Sequence, residues 1–403
     1  MCELLWDRRD RRVLSSRIGR AIAGLVVLLM SGCAHHYHAT PAVNDLPALQ
    51  LADNAISPGT ALEGIVTPDL LGLSPEMREF VDRYISHGND RQRMLTLHRS
   101  LRTPAMVDVT YDPGADGTAA DVFASGAANC LSYAHMFVAL GRYAGLDVHY
   151  QSLELRPEWA RHGNQIALRR HVNVRVDLRR GEQYMVDIDP VSRARVASAG
   201  IISDDAAAAL YHANHSMDAL LQGNRARAFG EALRALELAP DIDYLWVNLG
   251  AIYRESGQDQ AAEQVLRAAL EVNPDSRPAM NNLAVLFHAR GDLEEGRYWE
   301  DRVRARREAN PYYHYHLGEQ AEESGALDDA LEHYLTAIRL KDSDAEFYYR
   351  VARVYYAQHK HEETVIFLEK AIDRSSLVGE RDEYREFLKR VSTGVLTQAT
   401  HSG

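Results

Sequence analysis

Three residues of this 403-residue chain have the types and settings that nucleophilic acyl transfer requires. Cys130 opens an apolar helical stripe, so its thiol is predicted at a helix N-terminus, where the helix dipole favours the nucleophilic thiolate. His171 opens a predicted strand over 171–178, and Asp187 lies at the end of the next strand, over 183–188. A histidine in that place can take the thiol proton, and a carboxylate can orient the imidazole ring. The pattern predicts a Cys–His–Asp site.

The hairpin between the two strands decides which carboxylate serves the histidine. A turn centred near residue 179 puts Asp187 close to opposite His171. Asp189 faces the same side of the sheet one pleat further along, because side chains alternate with a period of two. Asp187 is therefore the predicted partner, and Asp189 is the alternative.

A tetrahedral intermediate needs hydrogen-bond donors beside the nucleophile. The backbone amides at the start of the Cys130 helix, with Asn129 next to them, are predicted to supply this oxyanion hole. No cysteine and histidine have zinc-ligand spacing, so the sequence predicts no metal and no cofactor. A single cysteine at a helix start is often only a small buried residue, and that alternative stays open at this stage.

The elements around these residues follow the order helix, strand, strand, strand. Three segments carry a family resemblance: GAANCLSYAHMFVALGRYAGLDVHYQ, HVNVRV and YMVDIDP. They resemble the bacterial transglutaminase-like superfamily, which is related in fold to papain-like thiol proteases. The resemblance covers about residues 105–195 and implies an α+β papain-like or transglutaminase-like domain over 61–205. It also implies Cys130 as nucleophile, His171 as base and Asp187 as orienting carboxylate, with Asp189 as the rival.

The C-terminal half repeats with a period of 34 residues. Glycine recurs at this interval where a left-handed turn is expected, and histidine takes the fifth place: Gly223, Gly257, Gly291, Gly325 and His359. Period and residue types resemble the tetratricopeptide repeat (TPR), which implies an all-α superhelical solenoid following the α+β domain. Five units are predicted, at 209–242, 243–276, 277–310, 311–344 and 345–378. Residues 379–403 are predicted to form a capping helix and tail.

Solenoids of this kind present a concave groove to a protein or peptide partner, although the fold alone names no ligand. Tyr312, Tyr315 and Tyr348 cluster at repeat starts and are candidates for partner binding. Packing between neighbouring repeats is the alternative role for these aromatic side chains.

The N-terminus reads as a targeting segment. Six arginines in residues 1–20 precede an apolar run over 21–30, which is too short to span a bilayer. Met30-Ser31-Gly32-Cys33 then resembles the lipobox of bacterial lipoproteins, which implies a signal peptide over 1–32 and acylation of Cys33. An ordinary secretory signal is the alternative. Residues 33–60 are predicted to be a flexible tether, and Ala34 in place of Asp favours the outer membrane, facing the periplasm.

Composition limits the classes of partner and of fold. The chain has 46% hydrophobic residues and a formal net charge of −12, which falls to about −15 once residues 1–32 are removed. Because phosphate binding needs clustered Lys and Arg, no nucleic-acid partner is predicted. Three cysteines are too few for a disulfide scaffold. Once Cys2 is cleaved off and Cys33 is acylated, Cys130 remains as the free thiol.

Together these features predict a membrane-anchored periplasmic enzyme that transfers acyl groups through a cysteine thioester, by amide hydrolysis or by transglutaminase-like transfer. Its TPR module would recruit a protein or peptide. The alternative is a non-catalytic outer-membrane lipoprotein scaffold that acts through TPR-mediated protein–protein interactions.

Overall fold

The computed structural model describes residues 40–155, 158–159, 166–167, 170–179, 182–189, 196–375 and 378–401. The predicted signal peptide, Cys33 and the first part of the predicted tether lie outside these residues. Within the described ranges, no helix is both long enough and apolar enough to cross a membrane.

The N-terminal part combines short helices with short strands. After a single turn of 3-10 helix at Val43–Asp45, its helices are α1 (Pro58–Glu63), α2 (Pro75–Tyr84), α3 (Asp90–Leu101), α4 (Ala119–Ser125) and α5 (Cys130–Tyr143). Its strands are β1 (Leu49–Gln50), β2 (Ala55–Ile56), β3 (Thr110–Tyr111), β4 (Ala127–Ala128), β5 (Asp147–Leu155), β6 (Glu158–Trp159), β7 (Ile166–Ala167), β8 (Arg170–Asp177), β9 (Gln183–Val186) and β10 (Val196–Ile202).

Helix α5 and one antiparallel sheet form the core of this part. In the described residues the sheet has the strand order β10–β5–β8–β9. Val174 and Val176 of β8 are fully buried and belong to the same apolar cluster as Phe137 of α5 and Tyr150 of β5. Helix α5 is apolar nearly all round, and such a helix is stable only when it is covered on several sides.

The β8–β9 register differs from the predicted one. Val174 pairs with Val186 and Asp177 with Gln183, so the hairpin is centred on residue 180 rather than near 179. The Leu178 N–H, which donates to the Glu182 carbonyl at 2.8 Å, continues the same register beyond the strands. Strand pairing therefore ends before Asp187, which lies diagonally across from His171.

The C-terminal part is a TPR solenoid of paired antiparallel helices. The pairs are α6 (Asp204–Leu221) with α7 (Arg225–Leu238), α8 (Asp243–Glu255) with α9 (Asp259–Val272), α10 (Arg277–Arg290) with α11 (Leu293–Glu308), α12 (Pro311–Glu323) with α13 (Leu327–Leu340), and α14 (Ala345–Ala357) with α15 (His361–Arg374). Helix α16 (Val378–His401) follows, and its Tyr384, Phe387 and Val391 are buried against the last pair.

The described part of the predicted tether, from residue 40 onward, is packed against the solenoid. Leu46 and Leu49 are buried in the core of the first repeats. The Tyr253 hydroxyl donates to the Pro47 carbonyl at 2.5 Å, and the Gln258 side-chain amide donates to the Ala48 carbonyl at 2.9 Å. The Gln50 N–H also donates to the Gln258 side chain, at 2.7 Å. The prediction of a flexible segment is therefore wrong for these residues, because two leucines are buried and three backbone groups bond Tyr253 or Gln258.

The two parts are joined by buried and ionic contacts. Arg142 at the end of α5 forms a two-pronged ion pair with Asp204 at the start of α6, with N···O distances of 2.6 and 2.9 Å. His212 of α6 is 1% exposed and bonds both Thr67, at 2.8 Å, and Glu231, at 2.7 Å. These contacts fix the position of the first repeat relative to α5.

The turn of the last repeat offers a stability test. The four turn glycines have φ of 72° to 83°, and His359 adopts the same left-handed conformation at 62°. An L-residue in this region costs about 1–2 kcal/mol relative to its favoured conformations, part of which glycine recovers. We expect His359→Gly to raise the free energy of unfolding by up to about 1 kcal/mol, measured by urea denaturation.

Gly257→Ala is the matched control for that test. A Cβ at Gly257 meets no heavy atom within 4 Å, so only its φ of 72° is strained. The alanine should lower stability by about 1 kcal/mol. A loss of stability in His359→Gly would contradict the interpretation of this turn.

Candidate active site

A side-chain cap fixes the start of α5 and thereby the place of Cys130. The Asn129 side-chain oxygen accepts the Ser132 N–H at 2.8 Å, and the Asn129 N–H donates to the Ser132 hydroxyl at 3.0 Å. Both residues are also bonded to the Ala115 carbonyl, at 2.8 Å each. Cys130 is thus the first helical residue, and its half-buried thiol lies at the positive end of the helix dipole.

The structure brings Cys130, His171 and Asp187 together. The cysteine sulfur, one imidazole nitrogen of His171 and one carboxylate oxygen of Asp187 all lie within 4.8 Å of one another. The His171 Nε2 is hydrogen-bonded to the Asp187 Oδ2. Asp187 is 7% exposed, so this carboxylate is a buried charge that needs such a partner. The catalytic roles of the three residues stay a prediction.

The diagonal placement of Asp187 explains how it meets His171 despite the shifted register. Diagonal neighbours across a strand pair lie roughly 7–8 Å apart at the backbone, within reach of two side chains of this length. Asp189, the alternative carboxylate, is exposed and contributes its backbone N–H, which donates to the Asp187 Oδ1 at 3.2 Å. The structure therefore places Asp187 against the imidazole and gives Asp189 a supporting contact.

The environment of His171 favours its charged form. Burial lowers the pKa of His171, but hydrogen bonds to Asp187 and Cys130, together with their negative charge, outweigh that effect. The pKa of His171 rises from the usual 6.5 to about 10. The ring is then an imidazolium at neutral pH, which is the partner that stabilises a thiolate.

The first turn of α5 supplies the donors for an oxyanion. In the described part of the chain, no acceptor is hydrogen-bonded to the backbone N–H of Cys130 or Leu131. The side-chain oxygen and the backbone N–H of Asn129 are used by the cap, and the predicted contribution of its side-chain NH2 to the oxyanion hole stays a prediction. Asn129 therefore acts on the site by holding the helix start.

Asp116 is a residue of this region that the sequence did not single out. Burial raises the pKa of Asp116, while His215, the Gly117 N–H and the side chains of Asn214 and Asn129 lower it. Its carboxylate accepts the Gly117 N–H at 3.0 Å. Asn129 caps α5 and Asn214 belongs to α6, so Asp116 lies near both the nucleophile's helix and the first repeat.

A cavity of about 880 Å³ contains the candidate site. The N-terminal part lines it with Tyr111, Pro113, Asn129, Cys130, Leu131, His171 and Val172. The solenoid lines it with Leu210, Asn214, Asp243, Tyr244, Val247, Asn248, Asn273, Asp275, Ser276, Arg277, Pro278, Arg306, Ala309 and Asn310. The volume falls within the range of roughly 300–1,000 Å³ that is usual for ligand sites.

Two groups in the described residues have side chains close enough to share a metal ion. One is the Cys130, His171 and Asp187 group, and the other is Asp147, His149 and Asp177 on β5 and β8. In the second group Asp177 is already paired with Arg175 at 2.9 Å, which competes with any cation. We assign no metal to either group, and the absence of a cofactor stays a prediction.

The three tyrosines predicted for partner binding pack within and between repeats. Tyr312 is 9% exposed and donates to the Asp344 carboxylate at 3.0 Å, and Tyr348 is 5% exposed beneath the Arg374 guanidinium. Tyr315 is half-buried and donates to Glu346 at 3.2 Å. These contacts are of the packing kind that was the alternative interpretation, and the partner-binding role stays a prediction.

Comparison with known families identifies the repeats. The family described as "Tetratricopeptide repeat" matches residues 245–286, and the family described as "TPR repeat" matches residues 323–358. The chain therefore carries tetratricopeptide repeats, a module for protein–protein interaction. The matched residues cover α9, α13 and α14 in full and most of α8 and α10.

Curated relatives share part of the sequence. The photosystem I assembly protein Ycf3 of Cyanophora paradoxa is 37% identical over 79 residues, which are 19% of this chain and 46% of that protein. The protein of the same name from Rippkaea orientalis is 30% identical over 106 residues, 22% of this chain and 61% of that protein. The chain thus spans about half the length of the curated relatives it matches.

Solved structures show a weaker likeness. MamA of Desulfovibrio magneticus is 16% identical over 43% of this chain and 96% of its own, with a TM-score of 0.24. PilF of Pseudomonas aeruginosa is 15% identical over 50% of this chain and 99% of its own, also with a TM-score of 0.24. At such scores neither likeness bears on function.

The His171 pKa makes a prediction for stability. Because the pKa is raised from 6.5 to about 10 on folding, the contribution of His171 to stability is complete below pH 6.5. It is lost as the pH rises toward 10. We expect wild-type stability to fall relative to His171→Gln between pH 6.5 and 10, measured by urea unfolding at each pH.

Asp187→Asn is the second arm of that measurement. The Asp187 carboxylate helps to raise the pKa of His171. Its removal should therefore reduce the loss of stability that His171 causes between pH 6.5 and 10. Parallel profiles of stability against pH for the wild-type protein and His171→Gln would contradict the raised pKa of His171.

Proposed function

We propose that this protein is a thiol-dependent acyl-transfer enzyme that acts on amide bonds. The observation that supports it most is the convergence of Cys130, His171 and Asp187, which come from a helix start, a strand and the end of the next strand. That arrangement is consistent with the papain-like or transglutaminase-like α+β fold that the sequence resembles. Three residues this far apart in sequence have no structural need to meet in a buried charge network.

The proposed reaction proceeds through a thioester. The Cys130 thiolate attacks the amide carbonyl, the S–C bond forms, and the backbone N–H groups of Cys130 and Leu131 stabilise the oxyanion. His171 donates its proton to the leaving nitrogen as the C–N bond breaks, and Asp187 holds the ring in place. Water or a second amine then attacks the thioester, gives its proton to His171 and restores the thiolate. Water as the acceptor gives amide hydrolysis, which we favour.

The repeats support a second candidate function, a non-catalytic scaffold that assembles proteins. TPR modules bind protein or peptide partners, and the named relatives are assembly proteins. The family matches support this scaffold more strongly than they support the enzyme. In both proposals the solenoid recruits a protein or peptide, and the candidates differ in whether Cys130 reacts.

We further propose that the protein works in the bacterial envelope. The lipobox-like segment ending at Cys33 supports a lipid anchor in the outer membrane with the rest of the chain facing the periplasm. In an oxidising compartment, Cys130 has no second cysteine in the processed chain to pair with once Cys33 is acylated.

Alkylation of the mature protein tests the enzyme directly. At pH 6, we expect iodoacetamide to modify Cys130 at least about tenfold faster than it modifies N-acetylcysteine, because the imidazolium of His171 stabilises the thiolate. His171→Ala should remove most of this advantage. The rate constants are measured by mass spectrometry of the Cys130 peptide.

The control for that experiment is His149→Ala, which removes a histidine of the same sheet that belongs to the group with Asp147 and Asp177. The enzyme proposal fails if Cys130 reacts no faster than N-acetylcysteine, or if His171→Ala and His149→Ala have the same effect.

Complementation of a deletion strain separates the two candidates. If the protein is an enzyme, Cys130→Ala should fail to restore the wild-type phenotype although the purified variant keeps its thermal unfolding midpoint. If it is a scaffold, Cys130→Ala should complement fully, whereas Asn248→Lys, which puts a charge into the cavity, should not. Full complementation by Cys130→Ala contradicts the enzyme.

A further inference from the structure

The candidate site and the solenoid share one cavity. Three residues that line the cavity occupy the same repeat position at intervals of 34 residues: Leu210 in α6, Tyr244 in α8 and Pro278 in α10. Cys130 and His171 line the same cavity. The cavity therefore follows the first helices of three successive repeats. A ligand polypeptide bound along these helices would therefore run past the Cys130 thiol.

The two walls of this cavity are held in a fixed relation. Arg142 is paired with Asp204 at the start of α6, and Asp116 lies close to both Asn129 and Asn214. Asn129 sets the start of α5, so the position of the nucleophile and that of the first repeat are determined by one set of contacts. Binding in the groove and reaction at Cys130 are thus geometrically linked.

The solenoid wall suits an uncharged polar ligand. Of its charged groups, Arg306 is paired with Asp275 at 2.6 Å, Asp243 accepts a hydrogen bond from Asn273 at 3.1 Å, and Arg277 takes part in a further interaction. Asn248 is half-buried, and in the described part of the chain its side-chain amide bonds no other residue. An amide group offers one acceptor and two donors, which matches the alternating N–H and C=O groups of a polypeptide backbone.

We infer that the protein held by the first three repeats is itself the substrate, and that an extended polypeptide segment lying along α6, α8 and α10 presents an amide carbonyl to Cys130. This inference rests on the proposed enzyme and adds the substrate class to it. Recruitment and catalysis then act on the same segment of one partner. The solenoid is part of the active site.

A peptide that carries an electrophile tests the inference. Acetyl-tetra-alanyl chloromethyl ketone alkylates a thiolate by forming an S–C bond and releasing chloride, and its peptide portion presents backbone groups alone. For each thiol, the rate constant for this reagent is divided by the rate constant for iodoacetamide. This ratio should be at least about tenfold larger for Cys130 in the mature full-length protein than for N-acetylcysteine. A ratio equal to that of N-acetylcysteine overturns the inference.

Two asparagines at equivalent repeat positions supply the matched variants. Loss of one hydrogen bond in Asn248→Ala should lower the rate ratio about fivefold. Asn282 is one repeat further on and half-buried like Asn248, but its amide is bonded to Arg254, at 3.3 Å, and Pro278, at 2.9 Å. Asn282→Ala should leave the ratio within about twofold of wild type. Equal losses in both variants overturn the inference.

The experiment separates this inference from the proposed enzyme. If His171→Ala fails to slow iodoacetamide, the enzyme proposal is wrong. In the other case, His171→Ala slows the reaction with iodoacetamide, but Cys130 shows no greater preference for the tetra-alanyl reagent than N-acetylcysteine does. The thiol is then activated, but the solenoid does not present the substrate, so only the inference is wrong.

Discussion

The site depends on where helix α5 begins. Asn129 and Ser132 exchange hydrogen bonds across the first turn, and the Ala115 carbonyl accepts from both residues. Each helical residue turns the chain by about 100°, so a shift of one residue would rotate the Cys130 thiol away from His171. A polar cap of three residues therefore decides whether the cysteine is a nucleophile candidate or a small buried side chain.

The rest of the N-terminal part holds His171 and Asp187 against that helix start. Phe137 of α5 and Val174 and Val176 of β8 are buried in one cluster, so the strand that carries the imidazole is packed directly on the helix that carries the thiol. The buried Asp187 carboxylate is stabilised by the imidazolium, which in turn favours a thiolate at Cys130. The imidazolium of His171 and the carboxylate of Asp187 thus stabilise each other's charge.

The sequence predicted the features that local chemistry determines. The 34-residue period located the repeat turns, including the left-handed His359, because a turn conformation depends on few neighbouring residues. The convergence of Cys130, His171 and Asp187 followed from the order of helix and strands. The hairpin register was missed by one residue, because residue types place a turn only approximately, whereas the register is set by backbone contacts such as the one between Leu178 and Glu182.

Long-range contacts account for the other differences. Leu46 and Leu49 lie in a segment with little periodicity, and their burial requires the apolar core that the first repeats provide. Asp116 gains its place from Asn129 and Asn214, which come from opposite sides of the cavity. The repeat tyrosines had two possible roles, and their packing depends in part on Glu346 and Phe347, which belong to the next repeat.

The central claim is that Cys130, His171 and Asp187 act as one coupled group, and an NMR titration of the His171 ring tests it most directly. The account predicts that the ring stays doubly protonated through neutral pH and titrates near pH 10, and that Cys130→Ala and Asp187→Asn each lower this value. A ring that titrates near pH 6.5 in the wild-type protein, unchanged in both variants, would contradict it.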